Sequence, residues 1–348
     1  MKKRILIDSL YINQGGGLHL LKYLINELSE NRVYFFLLAD VRCKSELEGV
    51  NNILFLNATL KERKAFYINH KDVFSRVLCF ANIPPQIKLD CPVYTYFHNI
   101  NLLTLEETNG IKAWVKQYLK RFVFRYFKSN TDYWIVQTEN TSNELVIHLK
   151  EKPYRVLVLP FFELPQELKE LPVKMPKNMR NDYVYIGDYY HGAKGHDELL
   201  DAWEILYSKG VKKNLHLTID FSQIEICKRI ESMRERGISI INHGTISFRD
   251  VIKVYGLSKA TVYPSHNESL GLGIIEAITA GCDVIGADLP YMNSICSPSL
   301  VFKPYSAASI IDAVLEYEKK SSKESSLMIS NHMDEMVRLL TNNELSLK

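Results

Sequence analysis

Residues 263–277 read Tyr-Pro-Ser-His-Asn-Glu-Ser-Leu-Gly-Leu-Gly-Ile-Ile-Glu-Ala. The stretch starts at the end of a β-rich apolar run, crosses a loop that contains Glu268, and enters a segment of helical length that contains Glu276. The small, glycine-containing helix start leaves N–H groups free to face an anion such as a diphosphate. A carboxylate at each end of that anion site can accept hydrogen bonds from the hydroxyls of a sugar and a ribose. The alternative is that both glutamates only cap the helix and interact with its dipole.

The same order of strand, loop and helix recurs on both sides of this stretch. We predict strands near residues 4–8, 33–38, 53–56, 77–80, 92–97, 133–137, 155–159, 182–187, 214–220, 238–242, 260–264, 283–286 and 299–303. We predict helices that include residues 17–30, 196–209, 223–236, 248–258 and 271–281. Several strands are nearly continuous apolar runs, which is typical of strands buried on both faces of a parallel sheet. The alternation predicts an α/β protein with two Rossmann-like domains and mostly parallel sheets.

The length of 348 residues also suggests two domains, at about 100–200 residues each. Residues 160–176 hold four prolines, which block helix continuation and strand pairing, so we predict a linker there. The expected domains are residues 1–165 and 166–325, followed by a helical tail at 326–348.

Charge and cysteine content narrow the class of protein. Lys and Arg number 43 against 40 Asp and Glu, a near balance that argues against a nucleic-acid binder. The six cysteines form no CxxC pair and no histidine cluster accompanies them, which argues against zinc and fits a reducing, cytoplasmic compartment. The first apolar run ends at Asp8, too early for a signal peptide. No run approaches the about 18 apolar residues of a transmembrane helix.

Three further segments place glycine, lysine or histidine at a predicted strand end. Gly15, Gly16 and Gly17 follow the first strand and precede a helix, which predicts either a phosphate loop or a tight turn. They do not form the G-x-G-x-x-G dinucleotide fingerprint. Lys194 lies in a strand-to-helix loop, where it either reaches a phosphate or is solvated. His98 ends a predicted parallel strand, where ligands of open α/β sheets bind, or else it is a structural histidine.

Residues 112–128 form a basic segment with six basic residues, six aromatics and no acid. An apolar stripe recurs there at helical spacing, formed by Val115, Leu119, Phe122 and Tyr126. One interpretation is a helix on an anionic membrane. Its membrane-facing cations would be Lys112, Lys116, Lys120, Arg121 and Lys128. The other interpretation is a helix whose stripe packs on its own sheet while its basic face is solvated. The two interpretations are compatible if the stripe faces the sheet and the lysines face lipid headgroups.

Together these motifs resemble the retaining glycosyltransferases of family 4, whose GT-B fold has two Rossmann-like domains facing a central cleft. The resemblance covers nearly the whole chain. Its most specific element is the pair Glu268 and Glu276, with seven residues between them. The resemblance implies transfer of a hexose from a nucleotide diphosphate sugar with retention at the anomeric carbon. It also implies that the linker at 160–176 is a hinge for domain closure. We expect no metal ion and no cofactor, the nucleotide sugar being a co-substrate.

The resemblance assigns roles residue by residue. The expected catalytic residues are Glu268, facing the donor sugar hydroxyls, His98, contacting the sugar on its leaving-group side, and Lys194, neutralising the leaving diphosphate. Glu276 would hold the ribose. The other expected donor-binding residues are Gly15, Gly16, Gly17, Gly187, Gly244, Ile246, Leu270, Gly271, Leu272 and Gly273.

One position departs from the family pattern. The residue after Gly187 is Asp188, where the family usually has an arginine as a second phosphate cation. An acid beside a diphosphate is unfavourable, so we expect Asp188 to point elsewhere. The subfamily that the sequence resembles assembles bacterial surface polysaccharide such as O-antigen or capsule. That implies a glycan or lipid-diphosphate acceptor and a position on the inner face of the cytoplasmic membrane.

Two other functions stay open. A nucleotide-sugar epimerase of the same fold needs several acid/base side chains around the sugar, which the sequence does not indicate. A non-catalytic nucleotide-sugar binder, or a partner subunit of another transferase, is favoured only by Asp188.

Overall fold

The computed structural model describes residues 4–103, 111–164, 179–189, 193–319 and 323–341. The chain divides into two compact units. The first comprises Met1–Glu163 with Ser330–Lys348, and the second comprises Leu164–Ile329. Each unit has its own sheet.

The first unit contains a seven-stranded parallel sheet in the order β3-β2-β1-β4-β5-β6-β7. Its strands are β1 (Arg4–Ser9), β2 (Phe35–Asp40), β3 (Ile53–Leu56), β4 (Phe74–Cys79), β5 (Val93–Phe97), β6 (Tyr133–Val136) and β7 (Val156–Val158). Every residue of the interior strand β5 is buried, as expected for a strand covered on both faces.

Within the described residues of this unit, four α-helices precede the linker. They are α1 (Gly15–Glu30), α2 (Leu60–His70), α3 (Ile111–Phe127) and α4 (Glu139–Leu149). Threonine side chains cap two of them: Thr59 Oγ1 accepts from Glu62 N at the start of α2, and Thr138 Oγ1 accepts from Thr141 N at the start of α4. No side chain caps α1, which begins at the glycines.

A buried ion pair ties α2 to the sheet. Asp8 of β1 accepts from Arg63 Nε at 2.7 Å, and neither side chain is exposed. The guanidinium also donates to the carbonyls of Ile83 and Pro84. It therefore fixes the loop that follows β4, because a buried charge needs all its hydrogen bonds satisfied.

The second unit contains a six-stranded parallel sheet in the order β10-β9-β8-β11-β12-β14, and β13 pairs with β15 in antiparallel register. Its strands are β8 (Asp182–Tyr185), β9 (Leu215–Leu217), β10 (Ile240–Asn242), β11 (Ser258–Tyr263), β12 (Asp283–Ala287), β13 (Cys296–Ser297), β14 (Leu300–Phe302) and β15 (Ser326–Leu327). Its helices are α5 (His196–Ser208), α6 (Ile224–Glu235), α7 (Phe248–Leu257), α8 (Leu272–Thr279), α9 (Pro290–Ile295) and α10 (Ala307–Lys319).

The tail helix α11 (Met333–Thr341) belongs to the first unit. Arg76 Nη1 donates to the carbonyl of Leu339 at 3.0 Å, and His332 N donates to the carbonyl of Pro160 at 2.7 Å. The sequence indicated a helical tail but not the unit on which it packs.

The predicted α/β class with two parallel sheets is confirmed. Each predicted strand overlaps an observed one, and α2, α4, α9 and α10 add to the helices that we expected. Residues 165–176 of the predicted linker lie outside the described residues.

Candidate active site

The second unit places two of the predicted residues at the point where its strand order reverses. The chain runs outward from β8 to β10 and then returns, so that β11 lies beside β8. Ligands of open α/β sheets bind outside the carboxyl ends of the strands at such a switch point. The loop after β8 carries Lys194 and the loop after β11 carries Glu268, and their side chains meet there.

Glu268 receives three hydrogen bonds on one oxygen. Lys194 Nζ lies 2.5 Å from Oε1, which also accepts from Ser265 Oγ at 2.7 Å and from Tyr263 OH at 3.1 Å. Burial, and then the charge of Glu268, raise the pKa of Tyr263, so its phenol remains a donor. Among the described residues, no hydrogen bond reaches Oε2. Oε2 is therefore the atom that can accept a ligand hydroxyl.

Sequence reasoning missed Tyr263 and Ser265 as partners of Glu268. Their spacing was the available signal, because alternate residues of an extended chain point to the same side. Two tyrosine hydroxyls also hydrogen-bond to the backbone of the loops that carry Glu268 and Lys194. Tyr291 OH donates to the carbonyl of Ser265 at 2.6 Å, and Tyr185 OH donates to the carbonyl of Lys194 at 2.9 Å. These buried phenols fix the backbone on which both charged side chains stand.

Gly195 brings the two loops together. Its φ of +66° is in the left-handed region, and a Cβ there would lie 2.4 Å from the carbonyl oxygen of Pro264. His266 N donates to the carbonyl of Ala193 at 3.0 Å across the same contact. Only glycine satisfies both the conformation and the space, so the residue after Lys194 determines how near the lysine comes to Glu268.

The start of α8 lies directly after Glu268. Gly271 precedes the helix with φ +65°, no side chain caps it, and no acid lies in its first turn. Leu270 is buried, so that only its backbone can contact a ligand, whereas Leu272 and Gly273 are partly exposed. Tyr255 OH holds the carbonyl of Gly273 at 3.1 Å. The four predicted residues 270–273 therefore form a helix start with free N–H groups, as an anion site requires.

Glu276 lies one turn further along α8. Burial alone raises its pKa from 4.5 to about 7. Among the described residues, no cation and no hydrogen-bond donor reaches its carboxylate. A desolvated carboxylate of this kind gains from any hydroxyl donor that a ligand brings.

The position that departs from the family pattern lies at the end of β8. Gly187 N donates to Thr218 Oγ1 at 3.1 Å. Asp188 is exposed, and its Oδ1 accepts from the backbone N–H groups of Tyr189 at 2.9 Å and Asp220 at 3.3 Å. Its carboxylate therefore joins the loops that follow β8 and β9.

The loop after β10 holds the residues expected beside a nucleobase. Gly244 has φ +67°, and its N–H donates to Asn242 Oδ1 at 3.3 Å. The side chain of Ile246 packs against the core cluster that contains Val251 and Tyr255. Ile246 is partly exposed, so it can offer a ligand its backbone and part of its side chain.

His98 follows β5 in the first unit. The backbone N–H of His98 donates to Asn82 Oδ1 at 2.8 Å. The side-chain amide nitrogen of Asn82 therefore faces the ring nitrogen Nε2 of His98, at 3.3 Å, and donates to it. This pattern assigns the ring proton to Nδ1. Burial lowers the pKa of His98 to about 4, so the imidazole is neutral at neutral pH. The sequence did not indicate Asn82, whose position just after the neighbouring strand β4 was the only signal.

The glycine loop of the first unit lies against this histidine. A Cβ on Gly17 would lie 3.7 Å from His98 Nε2. Gly15 has φ +65° and nothing within 4 Å of a Cβ. The predicted site residues therefore form two clusters, one in each unit. Gly15, Gly16, Gly17 and His98 form the cluster of the first unit.

The face of α3 that packs on the first unit is not the apolar stripe that the sequence indicated. Phe124 is fully buried against Phe97 and Trp134, with ring centroids 5.3 and 5.5 Å away. The interpretation in which the stripe packs on the sheet is wrong, because its four residues are between 41% and 68% exposed. The face that packs is the one that carries Phe124.

The predicted membrane-facing cations of α3 are not equivalent. Lys120 is exposed. Arg121 Nη2 donates to the carbonyl of Leu103 at 2.7 Å, and Lys128 Nζ to that of Leu149 at 2.5 Å, so both bind their own unit. The side chains of Lys112 and Lys116 lie outside the described part of the chain.

A cavity of about 630 Å³ lies beside α3 in the first unit. Its walls are mainly apolar and include Leu60, Ile83 and Leu119, while Asn82 and Asn99 contribute polar groups. An apolar cavity with a few polar groups is the usual form of a small-molecule site.

In the described ranges, no three His, Cys, Asp or Glu side chains lie close enough to hold a metal ion. No helix there is long and apolar enough to cross a membrane. All six cysteines are free, and four of them are buried.

Comparison with known proteins gives one family match in the second half of the chain and a set of solved structures with a similar fold. The sequence profile of the family "Glycosyl transferases group 1" matches residues 169–333. No curated protein matches the chain. WaaG, a glycosyltransferase involved in lipopolysaccharide biosynthesis, aligns with a TM-score of 0.68 at 13% identity, over 97% of this chain and 100% of WaaG.

Two other solved structures have similar scores. Sucrose-phosphate synthase from Thermosynechococcus elongatus aligns with a TM-score of 0.65 at 15% identity, over 91% of this chain and 90% of its own. HepE of Anabaena, solved in complex with UDP and glucose, aligns with a TM-score of 0.64 at 12% identity, over 92% of this chain and 90% of its own. The chain therefore has the α/β fold of the GT-B glycosyltransferases, with a match to glycosyl transferases group 1 over residues 169–333.

Proposed function

We propose that the protein is a retaining glycosyltransferase of family 4. It moves a hexose from a nucleotide diphosphate sugar to a hydroxyl of a glycan acceptor. The observation that carries the proposal is the contact of Lys194 with Glu268 at the switch point, beside the uncapped start of α8. A cation, a carboxylate and free N–H groups are what a sugar diphosphate needs.

The diphosphate binds at the start of α8. The N–H groups of Leu272 and Gly273 bind its oxygens. The ammonium of Lys194 leaves the carboxylate of Glu268 and pairs with a phosphate of the ligand. Tyr263 and Ser265 continue to donate to Oε1 of Glu268. Glu268 then accepts sugar hydroxyls through Oε2.

The nucleoside binds further along the same unit. Glu276 accepts the ribose hydroxyls, a role supported by its lack of a partner among the described residues. Gly187 lies beside the diphosphate, where its lack of a side chain leaves room for the ligand, and Gly244 and Ile246 contact the base through their backbone.

In the chemical step, the bond between the anomeric carbon and the diphosphate oxygen breaks. The acceptor oxygen bonds to the same face of that carbon, and its proton passes to the leaving diphosphate. Protein groups supply positioning and charge stabilisation, chiefly through Lys194. His98 binds the sugar as a neutral imidazole, and Gly15, Gly16 and Gly17 form a second anion-binding loop. Since Lys194 and the N–H groups neutralise the diphosphate, we propose no metal ion and no cofactor.

The acceptor is a glycan carried on a lipid diphosphate at the inner face of the cytoplasmic membrane. The exposed apolar stripe of α3, with exposed Lys120 beside it, supports contact with anionic lipid. The cavity beside α3 offers room for an apolar part of the acceptor. The likeness to WaaG supports a role in bacterial surface polysaccharide synthesis, such as that of O-antigen or capsule.

A binding protein without turnover is the second candidate. The exposed carboxylate of Asp188, where the family has an arginine, favours it. A binder would hold a nucleotide sugar without releasing product, so turnover separates the two.

The test is transfer from a panel of UDP- and GDP-hexoses to a short lipid-diphosphate sugar, with and without EDTA. We expect one donor to release nucleotide and extend the acceptor by one hexose, with EDTA having no effect. Glu268→Ala should abolish this, while Glu204→Ala, which removes a partly exposed glutamate on α5 that pairs with Arg236, should not. Nucleotide-sugar binding without transfer to this acceptor or to native lipid extract would contradict the proposal, and epimerisation would indicate the rival enzyme.

A further inference from the structure

An exposed aromatic side chain lies in the loop between β9 and α6. Phe221 is 65% exposed. A single exposed apolar residue is ordinary on a protein surface, so exposure alone indicates nothing. What distinguishes Phe221 is the residue against which it packs.

The ring of Phe221 lies directly on Gly244. A Cβ on Gly244 would be 2.3 Å from Phe221 Cε2 and 2.8 Å from Cδ2. The φ of +67° at Gly244 independently favours glycine. The ring therefore occupies the space of a missing side chain, which fixes its position while much of its surface stays exposed.

Hydrogen bonds hold the two loops that carry this contact. Asp220 Oδ2 accepts from Thr245 Oγ1 at 2.5 Å, and its Oδ1 accepts from Ser222 N at 2.8 Å. Asn242 Oδ1 accepts from the N–H groups of Ile219 and Gly244. Both loops are thus tied on either side of the ring, so Phe221 loses little further freedom when a ligand packs on it.

The ring lies at the ligand-binding edge of the sheet. Phe221 follows β9 and Gly244 follows β10, and β9 is the neighbour of β8, whose loop carries Lys194. Carboxyl ends of parallel strands share one edge of a sheet. A rigid aromatic surface at that edge offers a flat, apolar face to a planar ring system.

We propose that Phe221 is the stacking surface for the nucleobase of the donor, and thereby a residue that determines its binding. This inference rests on the proposed function, because it assigns a base-binding residue to the same nucleotide site. Aromatic stacking of this kind tolerates any base. We therefore expect Phe221 to contribute affinity for UDP and GDP alike.

The test is calorimetric titration of the full chain with UDP, GDP and inorganic diphosphate. Phe221→Ala should weaken binding of both nucleoside diphosphates about tenfold and leave inorganic diphosphate unchanged. Phe221→Tyr should bind as the wild type does. Gly244→Ala should also weaken nucleoside diphosphates, because its Cβ displaces the ring. Leu257→Ala removes an exposed apolar side chain at the opposite edge of the sheet, just before β11, and serves as the control.

The outcomes separate the two proposals. If the wild type binds UDP or GDP but Phe221→Ala binds them equally well, the stacking role is wrong and the proposed function stands. An equal loss for inorganic diphosphate would also overturn it, because the effect would then not depend on a base. If the wild type binds no nucleotide, both proposals fail.

Discussion

The ammonium of Lys194 lies 2.5 Å from Oε1 of Glu268, although 73 residues separate them along the chain, from 195 to 267. Each charge neutralises the other, and Tyr263 and Ser265 donate to the same oxygen. A bound diphosphate must therefore compete with Glu268 for the ammonium. Once the ammonium has moved, the phenol of Tyr263 and the hydroxyl of Ser265 still donate to the carboxylate and stabilise its charge.

Replacing Lys194 should impair transfer far more than folding. The pair is partly exposed to solvent, and ion pairs of that kind contribute little to stability. Loss of a group that stabilises charge in the transition state costs about 100-fold or more in rate. We expect Lys194→Ala to keep its melting temperature within a few degrees while kcat falls by about that factor. Lys209→Ala, at the exposed end of α5, should retain activity. A large loss of stability with little loss of kcat would make the lysine structural.

Glu276 should make stability depend on pH. Its folded pKa is raised to about 7 from 4.5, so the folded protein binds more protons than the unfolded chain between these values. The free energy of unfolding should therefore fall as pH rises through this window, by up to about 3 kcal/mol. Urea unfolding of the wild type and Glu276→Gln, each at about pH 5 and pH 8, measures it. The neutral glutamine should remove that part of the slope, and equal slopes in both proteins would show that Glu276 is not desolvated.

Gly195 should be irreplaceable for steric reasons as well as conformational ones. Gly195→Ala places a Cβ 2.4 Å from the carbonyl oxygen of Pro264, in a left-handed conformation. Gly210 also has a left-handed φ of +82°, but no described atom lies within 4 Å of a Cβ built there. Gly210→Ala therefore adds backbone strain without a steric clash. We expect thermal unfolding to show a loss of about 1 kcal/mol for Gly210→Ala and about 3 kcal/mol for Gly195→Ala. Equal losses would mean that the contact between the two loops relaxes freely.

The exposed stripe of α3 should bind anionic membranes. Leu119→Asp with Phe122→Asp puts two acids on the apolar face and should abolish sedimentation with vesicles that contain an anionic phospholipid. Ile147→Asp, on the exposed face of α4, is the control. Binding of the wild type should also weaken as salt is added. Unchanged sedimentation of the double variant would remove α3 from the membrane proposal.

Local patterns in the sequence predicted the sheets well. Continuous apolar runs such as Val33–Leu38 marked the buried strands, and the alternation with helices indicated two parallel sheets. The tail was harder, because the contact of α11 with the first unit depends on tertiary bonds such as Arg76 to Leu339. No local pattern encodes such a bond.

The candidate site could be predicted as a set of residues but not as a geometry. Glu268 and Lys194 were indicated by the loops that carry them, yet their contact depends on Gly195 fitting against Pro264. The stripe of α3 was ambiguous, because helical periodicity finds an apolar face without saying which face packs. Buried Phe124 decided it. Phe221 had no sequence signal at all, since its position follows from Gly244 in another loop.

The central claim, retaining sugar transfer, is tested most directly by the anomeric configuration of the first product. Proton NMR of the reaction, recorded from its start with the donor identified in the panel, resolves the anomeric signals of donor and product. We predict a product with the same anomeric configuration as the donor, formed by the wild type and not by Glu268→Ala. A product of inverted configuration, or consumption of the donor without a new glycosidic bond, would contradict the account.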